Sequence, residues 1–151
     1  MIEEKINKLG FTVPVSPKPL AAYVAAKKID NIVYTAGQLP MKDGKLFAEG
    51  QLGAEVSNDV GKEAAQICAL NCLSVIKSVI GDLDNIDEII KVTVFVNSAN
   101  GFSAQPQIAN GASEFLVEVF GEAGKHVRSA VGASGLPLNA PVEIEMIVKV
   151  K

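Results

Sequence analysis

Apolar and polar residues alternate most regularly near the end of the chain, between Val142 and Val150. One set of alternate positions is entirely apolar, whereas the other carries two carboxylates, an isoleucine and a lysine: Val142, Ile144, Met146, Val148 and Val150 against Glu143, Glu145, Ile147 and Lys149. A period of two predicts a β-strand with one face in the core. Similar patterns and composition predict further strands over residues 21–27, 32–36, 45–47, 89–96 and 127–133.

Three other stretches repeat their apolar residues with helical spacing. Ser57 is a suitable N-cap for the longest of them, and Pro106 is compatible with the first turn of another. Helices are therefore predicted over residues 2–9, over residues 58–80, and from Phe102-Ser103 towards Gly121. Residues 11–19 carry three prolines and are predicted to form an extended strap, from which the first helix swings over the domain.

Together these elements predict one α+β domain over residues 1–151. Two strands, a long helix, a strand, a second helix and two more strands follow one another, which is typical of a mixed sheet with both helices packed on one face. The other face would carry Phe95, Ile147 and Tyr34 among polar groups. Soluble monomers seldom leave a large apolar patch exposed, so this pattern favours self-association.

Composition restricts the classes of function. The 151 residues are 48% hydrophobic and 21% charged, as in one globular domain with a sizeable core. The net charge is -3 and tryptophan is absent, so no nucleic-acid partner is expected. The charged N-terminus and the lack of an apolar run of about 18 residues predict a cytoplasmic protein without a membrane partner. Cys68 and Cys72, four apart in a helix, are predicted to be buried small side chains.

The candidate chemistry begins with Arg128, the one arginine among 14 cationic residues. Its planar guanidinium can hold a carboxylate through two parallel hydrogen bonds, which a lysine ammonium cannot do. The single histidine, His126, precedes it by two residues, and Glu143 and Glu145 share one face of the following strand. This combination indicates a site for a small ligand. An ordinary surface arginine beside a solvated strand face is the alternative interpretation.

Four segments of the chain form a familiar set: YTAGQLP at 34–40, VTVFV at 92–96, RSAV at 128–131, and LP followed by VEIE at 136–137 and 142–145. They resemble the RidA/YjgF family of enamine and imine deaminases, whose members were earlier described as endoribonucleases or translation inhibitors. The resemblance extends from Tyr23 to Val150. The N-terminal helix and strap are similar to the longer branch of that family.

The resemblance implies a chorismate-mutase-like α+β fold and a homotrimer whose sheets pack into a central β-barrel, with ligand clefts between subunits. It also implies that Arg128 binds the substrate carboxylate and that Glu143 positions water or shuttles protons. No metal or organic cofactor is implied. The ligand would be lined by Tyr23, Gly37, Asn110 and the main chain of Ala130.

The chain departs from the family pattern beside the expected cleft. Ala21-Ala22 stands where Gly-Pro is usual, Ala36 replaces a serine, and Ala130 replaces a frequent cysteine. These changes remove a hydroxyl and a thiol from beside the expected cleft, so the resemblance does not determine which substrate is preferred. Simpler roles also stay open for four residues: a packing aromatic for Tyr23, a surface amide for Asn110, a solvated residue for Glu145, and a structural or rim residue for His126.

The function that the resemblance implies is hydrolytic deamination of reactive 2-imino acids to 2-oxo acids and ammonia. Arg128 would fix the carboxylate and withdraw charge, while Glu143 would act through water as a general base. The alternative is a non-catalytic binding module for small carboxylate metabolites. The acidic charge balance disfavours a ribonuclease or translation inhibitor.

Overall fold

The computed structural model describes residues 1–18 and 21–151. Three helices and a five-stranded sheet form the body of the domain, and two very short strands form a separate hairpin. In chain order the elements are α1 (Ile2–Lys8), β1 (Ala26–Ile29), β2 (Ile32–Thr35), β3 (Met41–Lys42), β4 (Lys45–Leu46), α2 (Asn58–Ile80), β5 (Ile86–Asn97), α3 (Gln105–Phe120), β6 (Val127–Ala133) and β7 (Val142–Val150).

The main sheet has the strand order β1-β2-β7-β5-β6. Its neighbours pair antiparallel except for β5 and β6, which run parallel because α3 connects them as a crossover. The last strand of the chain, β7, therefore lies in the middle of the sheet, whereas β6 lies at an edge. The predicted mixed α+β fold is confirmed.

The core lies between one face of this sheet and the helices α2 and α3. All five predicted core positions of β7 are buried, and they pair with buried valines and isoleucines of β5, such as Val94 opposite Ile144. On α2, the thiols of Cys68 and Cys72 lie 3.5 and 3.4 Å from the carbonyl oxygens of Val142 and Ile144. Burial raises the pKa of Cys72 to about 12 and also raises that of Cys68. Both residues are thus protonated packing groups, as predicted.

Helix α2 is the one helix among the described residues that is long and apolar enough to cross a membrane by length and composition. Within its most apolar stretch, 67% is buried inside the domain. The apolar residues of α2 therefore pack against the sheet and against α3.

Helix α1 and the strap lie across the outside of the helices. Ile6 of α1 is fully buried, and the ring of Phe11 packs edge-on against Phe115 of α3 with centroids 5.6 Å apart. Farther along, the Ser74 hydroxyl of α2 donates to the Pro14 carbonyl at 2.6 Å. The prediction that this segment crosses the body of the domain is confirmed for the described residues. Pro19, the last residue of the predicted strap, lies outside the described residues.

Two predicted boundaries were wrong. Strand β1 begins at Ala26 and not at residue 21, because pairing with β2 starts at Ala26 opposite Thr35, and residues 21–24 form an exposed bend. Helix α3 begins at Gln105 and not at Phe102. The Phe102 amide donates to Ala99 in a turn, and the Gln105 side chain donates to the Phe102 carbonyl at 2.8 Å.

Strand β5 also differs from its prediction. It is longer than the predicted 89–96, and register shifts occur near its start, between Ile86 and Glu88 and between Ile89 and Lys91. Because of the second irregularity, Ile89 is buried in the core while Ile90 is only partly buried, the reverse of strict alternation. From Val92 onwards the predicted alternation holds.

Candidate active site

The sole arginine lies on the edge strand β6 and faces α3. In register, Arg128 pairs with Val92 and Ala130 with Val94, so both β6 residues share the helix-covered face of the sheet. The Arg128 Nη1 donates to Asn110 Oδ1 at 2.8 Å and to Ser113 Oγ at 3.1 Å. Asn110 and Ser113 are three residues apart and therefore adjoin on one face of α3.

The sole histidine completes this arrangement. His126 Nδ1 lies 2.7 Å from the Gly124 carbonyl, and its Nε2 lies 2.9 Å from Ser113 Oγ. A carbonyl can only accept, so Nδ1 carries a proton, and in the neutral ring Nε2 accepts from the Ser113 hydroxyl. Burial lowers the pKa of His126, the bond to Gly124 opposes that shift, and the Arg128 charge lowers the pKa further. The ring is consequently neutral at pH 7.

These contacts leave part of the guanidinium free. A guanidinium has five N–H donors, and both hydrogens of Nη1 are engaged by Asn110 and Ser113. Among the described residues, no acceptor binds Nε or Nη2 of Arg128. Those atoms form one edge of a planar fork that matches the two oxygens of a carboxylate. We refer to Asn110, Ser113, His126 and Arg128 as the arginine cluster.

A second group surrounds Glu143 on the opposite face of the sheet. Glu143 pairs in register with Phe95, on the face that no helix covers, and a Cβ added to Gly37 would overlap Glu143 Oε1. The Gln38 amide donates to the Ile144 carbonyl at 2.7 Å, which holds the turn after β2 against β7. Glycine at position 37 is thus what allows this close approach.

Tyr23 lies near the same turn and is 59% exposed. Together with Tyr34 and Ala36, it lines a depression on the surface, and the Ala36 amide donates to the Ala25 carbonyl at 2.7 Å. We refer to Gly37 and Glu143, together with Tyr23 beside the turn that carries Gly37, as the glutamate cluster. Because Tyr23 is exposed, its side chain is available to a ligand or to another chain.

The carboxyl group of Glu143 is suited to proton transfer. Burial raises its pKa, and the negative charge of Glu145, two residues along the same face of β7, raises it further. Glu143 is about half-buried, whereas Glu145 is exposed. A carboxylate whose pKa lies closer to the working pH is a more effective general base.

One chain does not bring the two clusters together. Glu143 of β7 pairs in register with Phe95 of β5, and Phe95 pairs in turn with Val131 of β6. Val131 is 45% exposed on the open face, while Arg128 and Ala130 face the helices. The six residues expected at the site therefore divide into Arg128, Asn110 and Ala130 on one side and Tyr23, Gly37 and Glu143 on the other.

Ser113 was missed by sequence reasoning, although it links Arg128 to His126. A signal was present: Asn110 and Ser113 are spaced three apart in a predicted helix. Gly111, between them, packs so closely on the Lys62 backbone that a Cβ there would collide with it. In the part of the chain that the structure describes, no three His, Cys, Asp or Glu side chains converge to hold a metal ion.

Comparison with known proteins places this geometry in a family. The family model described as "YjgF/chorismate_mutase-like, putative endoribonuclease" matches residues 3–149. The chain belongs to the YjgF (RidA) family. Protein TCP17 of Trypanosoma cruzi is 38% identical to this YjgF-family chain over 149 residues, which cover 98% of this chain and 93% of that protein.

Two further relatives bear on fold and function. The crystal structure of Atu1372 from Agrobacterium tumefaciens, a protein of unknown function, superposes with a TM-score of 0.94 at 42% identity and covers 99% of this chain and 93% of its own. A Dermatophagoides farinae protein named 2-iminobutanoate/2-iminopropanoate deaminase is 29% identical over 141 residues, covering 93% of this chain and 95% of that protein. The YjgF fold thus extends through the N-terminal helix and strap.

Proposed function

We propose that this YjgF-family protein hydrolyses reactive 2-imino acids to 2-oxo acids and ammonia. The observation that carries the proposal is the free edge of the Arg128 guanidinium, whose Nη1 is held by Asn110 and Ser113. A 2-imino acid presents a carboxylate beside an electrophilic C=N carbon, so an anchored guanidinium would fix the ligand and withdraw charge. The name of the Dermatophagoides farinae relative supports the same substrate class.

The proposed chemistry needs a base as well as an anchor. The oxygen of a water attacks the imine carbon, the C=N electron pair moves to nitrogen, and the Glu143 carboxylate takes a proton from the water. Glu143 delivers that proton to the nitrogen, which gives a neutral carbinolamine. The carboxylate then takes the hydroxyl proton of the carbinolamine and passes it to the amine as the C–N bond breaks, so that ammonia leaves and the C=O double bond of the 2-oxo acid forms. General acid–base catalysis of this kind contributes roughly 10²–10⁴-fold in rate.

Anchor and base would meet between subunits. The open face of the sheet carries half-buried Phe95 and Ile147, and Tyr34 and Val131 are each 45% exposed. Covering such apolar surface favours association of identical chains, and a closed ring repeats one heterologous contact. In the proposed homotrimer with a central β-barrel, the arginine cluster of one subunit faces the glutamate cluster of the next.

The experiment that tests this function measures ammonia release. An amino-acid oxidase would generate 2-iminobutanoate or 2-iminopropanoate in situ, and semicarbazide would trap the imine that escapes hydrolysis. Arg128→Ala should lose at least about 100-fold in rate, because an electrostatic anchor of the reaction is gone. Lys125→Ala is the matched control, since that neighbouring cation is exposed and pairs with Glu122 at 2.7 Å.

Acceleration by wild type and by Lys125→Ala, but not by Arg128→Ala, is the expected result. If wild type does not accelerate ammonia release from either imine, deamination of these substrates is rejected. If Arg128→Ala retains the wild-type rate, the assigned role of the arginine is rejected while the activity stands.

A binding module for small carboxylates is the second candidate. The observation that favours it is that one chain contains the complete arginine cluster, while Glu143 lies on the other face of the sheet. A binding module would show a rise in Tm with 2-oxobutanoate and no turnover of the imine. The acidic net charge of -3 continues to argue against a ribonuclease.

A further inference from the structure

We propose that His126 is a positioning residue for Arg128 and acts through Ser113. The two do not bond directly: His126 Nε2 lies 2.9 Å from Ser113 Oγ, and that oxygen accepts from Arg128 Nη1 at 3.1 Å. The chain of hydrogen bonds ends at the Gly124 carbonyl, 2.7 Å from Nδ1. The effect of this positioning on turnover rests on the proposed function, whereas its effect on the orientation of the Arg128 guanidinium does not.

The direction of each hydrogen bond makes the positioning specific. A serine hydroxyl has one hydrogen and two acceptor lone pairs. In the neutral tautomer His126 takes that hydrogen, so the Ser113 oxygen can only accept from Arg128. Without His126 the hydroxyl rotates freely, and orientations that point its hydrogen at the guanidinium repel the Nη1 hydrogens. Bonds linked in series also polarise and strengthen one another.

The result of this positioning is a defined edge for the ligand. Asn110 Oδ1 and Ser113 Oγ together engage both hydrogens of Nη1, so the guanidinium cannot rotate about its Cζ–Nη1 or Cζ–Nε bonds without breaking a hydrogen bond. Nε and Nη2 are thereby held as the fork that a carboxylate meets. A guanidinium that is already held in its binding orientation loses less conformational entropy on binding a carboxylate than a mobile one does.

Protonation of His126 would reverse its bond to Ser113. Nε2 then becomes a donor, the Ser113 hydrogen turns away, and the two cations that share its oxygen repel each other, which weakens the bond to Arg128 Nη1. On the other elements around the ring, Lys125 pairs with Glu122 at 2.7 Å, and Glu114 and Glu118 line the groove between α3 and α2. Arg128 is therefore the charged group that shifts the pKa of His126, which it lowers.

Because Arg128 and His126 are the only residues of their types, their side-chain NMR signals are assigned without further experiments. The probe is protein labelled with ¹⁵N-arginine and ¹⁵N-histidine, without ligand. In wild type we expect separate Nη1 and Nη2 signals above the pKa of His126, and a His126 ring protonated at Nδ1. As the ring is titrated to its cationic form, the two Nη signals should broaden and merge.

Two pairs of variants separate the hydrogen bonds from simple packing. His126→Phe and Ser113→Ala keep most of the volume but remove an acceptor and the linking hydroxyl, so the Nη signals should merge at neutral pH. His126→Gln and Ser113→Thr keep an acceptor and a hydroxyl, so the signals should remain separate. The amide spectrum of each variant reports whether the fold is intact.

The proposal is overturned if wild type shows merged Nη signals at neutral pH, or if they stay separate while His126 is protonated. It is equally overturned if folded His126→Phe matches wild type. The wild-type titration decides the question even where a variant does not fold.

A kinetic measurement connects this positioning to the proposed function. His126→Phe should raise KM for the imine about tenfold with little change in kcat, because one hydrogen bond that orients a charged group is lost. Separate Nη signals without ammonia release would reject the deaminase and keep the positioning. Ammonia release with merged Nη signals would keep the deaminase and reject the positioning.

Discussion

The arginine cluster and the glutamate cluster are built to different degrees within one chain. Around Arg128, three side chains and the Gly124 carbonyl form an unbroken set of hydrogen bonds between 2.7 and 3.1 Å. Around Glu143, the close neighbours are the backbone of Gly37 and the like charge of Glu145, and within the described residues no donor binds its carboxylate. One cluster is pre-organised, and the other holds a carboxylate that lacks a partner.

This difference indicates which half of the reaction each cluster can support alone. An anchored guanidinium can bind a carboxylate as soon as the chain folds, since its geometry is already fixed. A carboxylate with a raised pKa is poised to accept a proton, but it needs a substrate held by something else. The two clusters lie on opposite faces of one sheet, so the proposed catalysis requires two copies of the chain.

The largest expected effect comes from mixing two inactive variants. The Arg128→Ala and Glu143→Gln proteins should each lose activity by roughly 10²–10⁴-fold, because each lacks one of the two groups. If the proposed trimers are assembled from equal amounts of both, about a quarter of the clefts combine an intact Arg128 with an intact Glu143. Ammonia release should therefore recover to about a quarter of the wild-type rate.

The control for this recovery is a mixture of the same proteins without subunit exchange, which should stay inactive. If co-assembled trimers are also inactive although mass spectrometry shows both subunits, Arg128 and Glu143 do not share a cleft. Size measurements that find only monomers would reject the trimer itself.

A smaller effect is expected from a single methyl group beside Glu143. Gly37→Ala places a Cβ where Glu143 Oε1 lies, so the carboxylate must move. Misplacing a catalytic group by about 1 Å can cost up to about 100-fold in rate, and we expect a loss between tenfold and that limit in kcat. Gly135→Ala is the matched control, because a Cβ there meets nothing within 4 Å. Equal rates for both variants would separate Gly37 from the proposed chemistry.

The pH dependence of kcat/KM gives a third and more modest test. Glu143 must be ionised to act as a base, so activity should fall as the pH drops through its pKa, which lies above the ordinary value for a glutamate. Burial is the larger cause of that raised pKa and Glu145 the smaller. Glu145→Gln removes the second cause, so the acidic limb should move to lower pH. Glu88→Gln, at the other end of the β5–β7 pair, should leave it in place. A shift to higher pH in Glu145→Gln would contradict this assignment.

How much of the fold was predictable depended on the length of each pattern. Strand β7 was predicted residue for residue because five apolar positions alternate with polar ones along its whole length. Strand β3 is two residues long, too short to show a period, and no strand was predicted there, whereas β4 at Lys45–Leu46 falls within the strand predicted over residues 45–47. The start of β1 was misplaced because alanines in residues 21–26 carry little information about which of them is paired.

The candidate site was predictable only in part. Arg128 stands out by composition, since it is the one arginine in the chain. That Arg128 and Glu143 lie on opposite faces depends on how β6 and β7 each pair with β5, and this register is not encoded in either strand alone. Ser113 lies three residues from Asn110, a spacing that indicates only that the two share one face of the predicted helix. Its part in the arginine cluster emerges only when α3 is packed against β6.

The smallest expected effect concerns the loop that joins the two clusters, between β6 and β7. Leu138 has a φ of 58° and is 68% exposed, so it holds a left-handed conformation without a buried contact in compensation. The next residue, Asn139, has a φ of 59°, which asparagine tolerates far better than leucine. Leu138→Asn should therefore raise the free energy of unfolding by about 0.5–1 kcal/mol, measured by urea denaturation. The rate of ammonia release should not change, because neither cluster includes Leu138. A destabilised variant would show instead that the exposed leucine packs against another subunit, which would place this loop in the interface that the two clusters need.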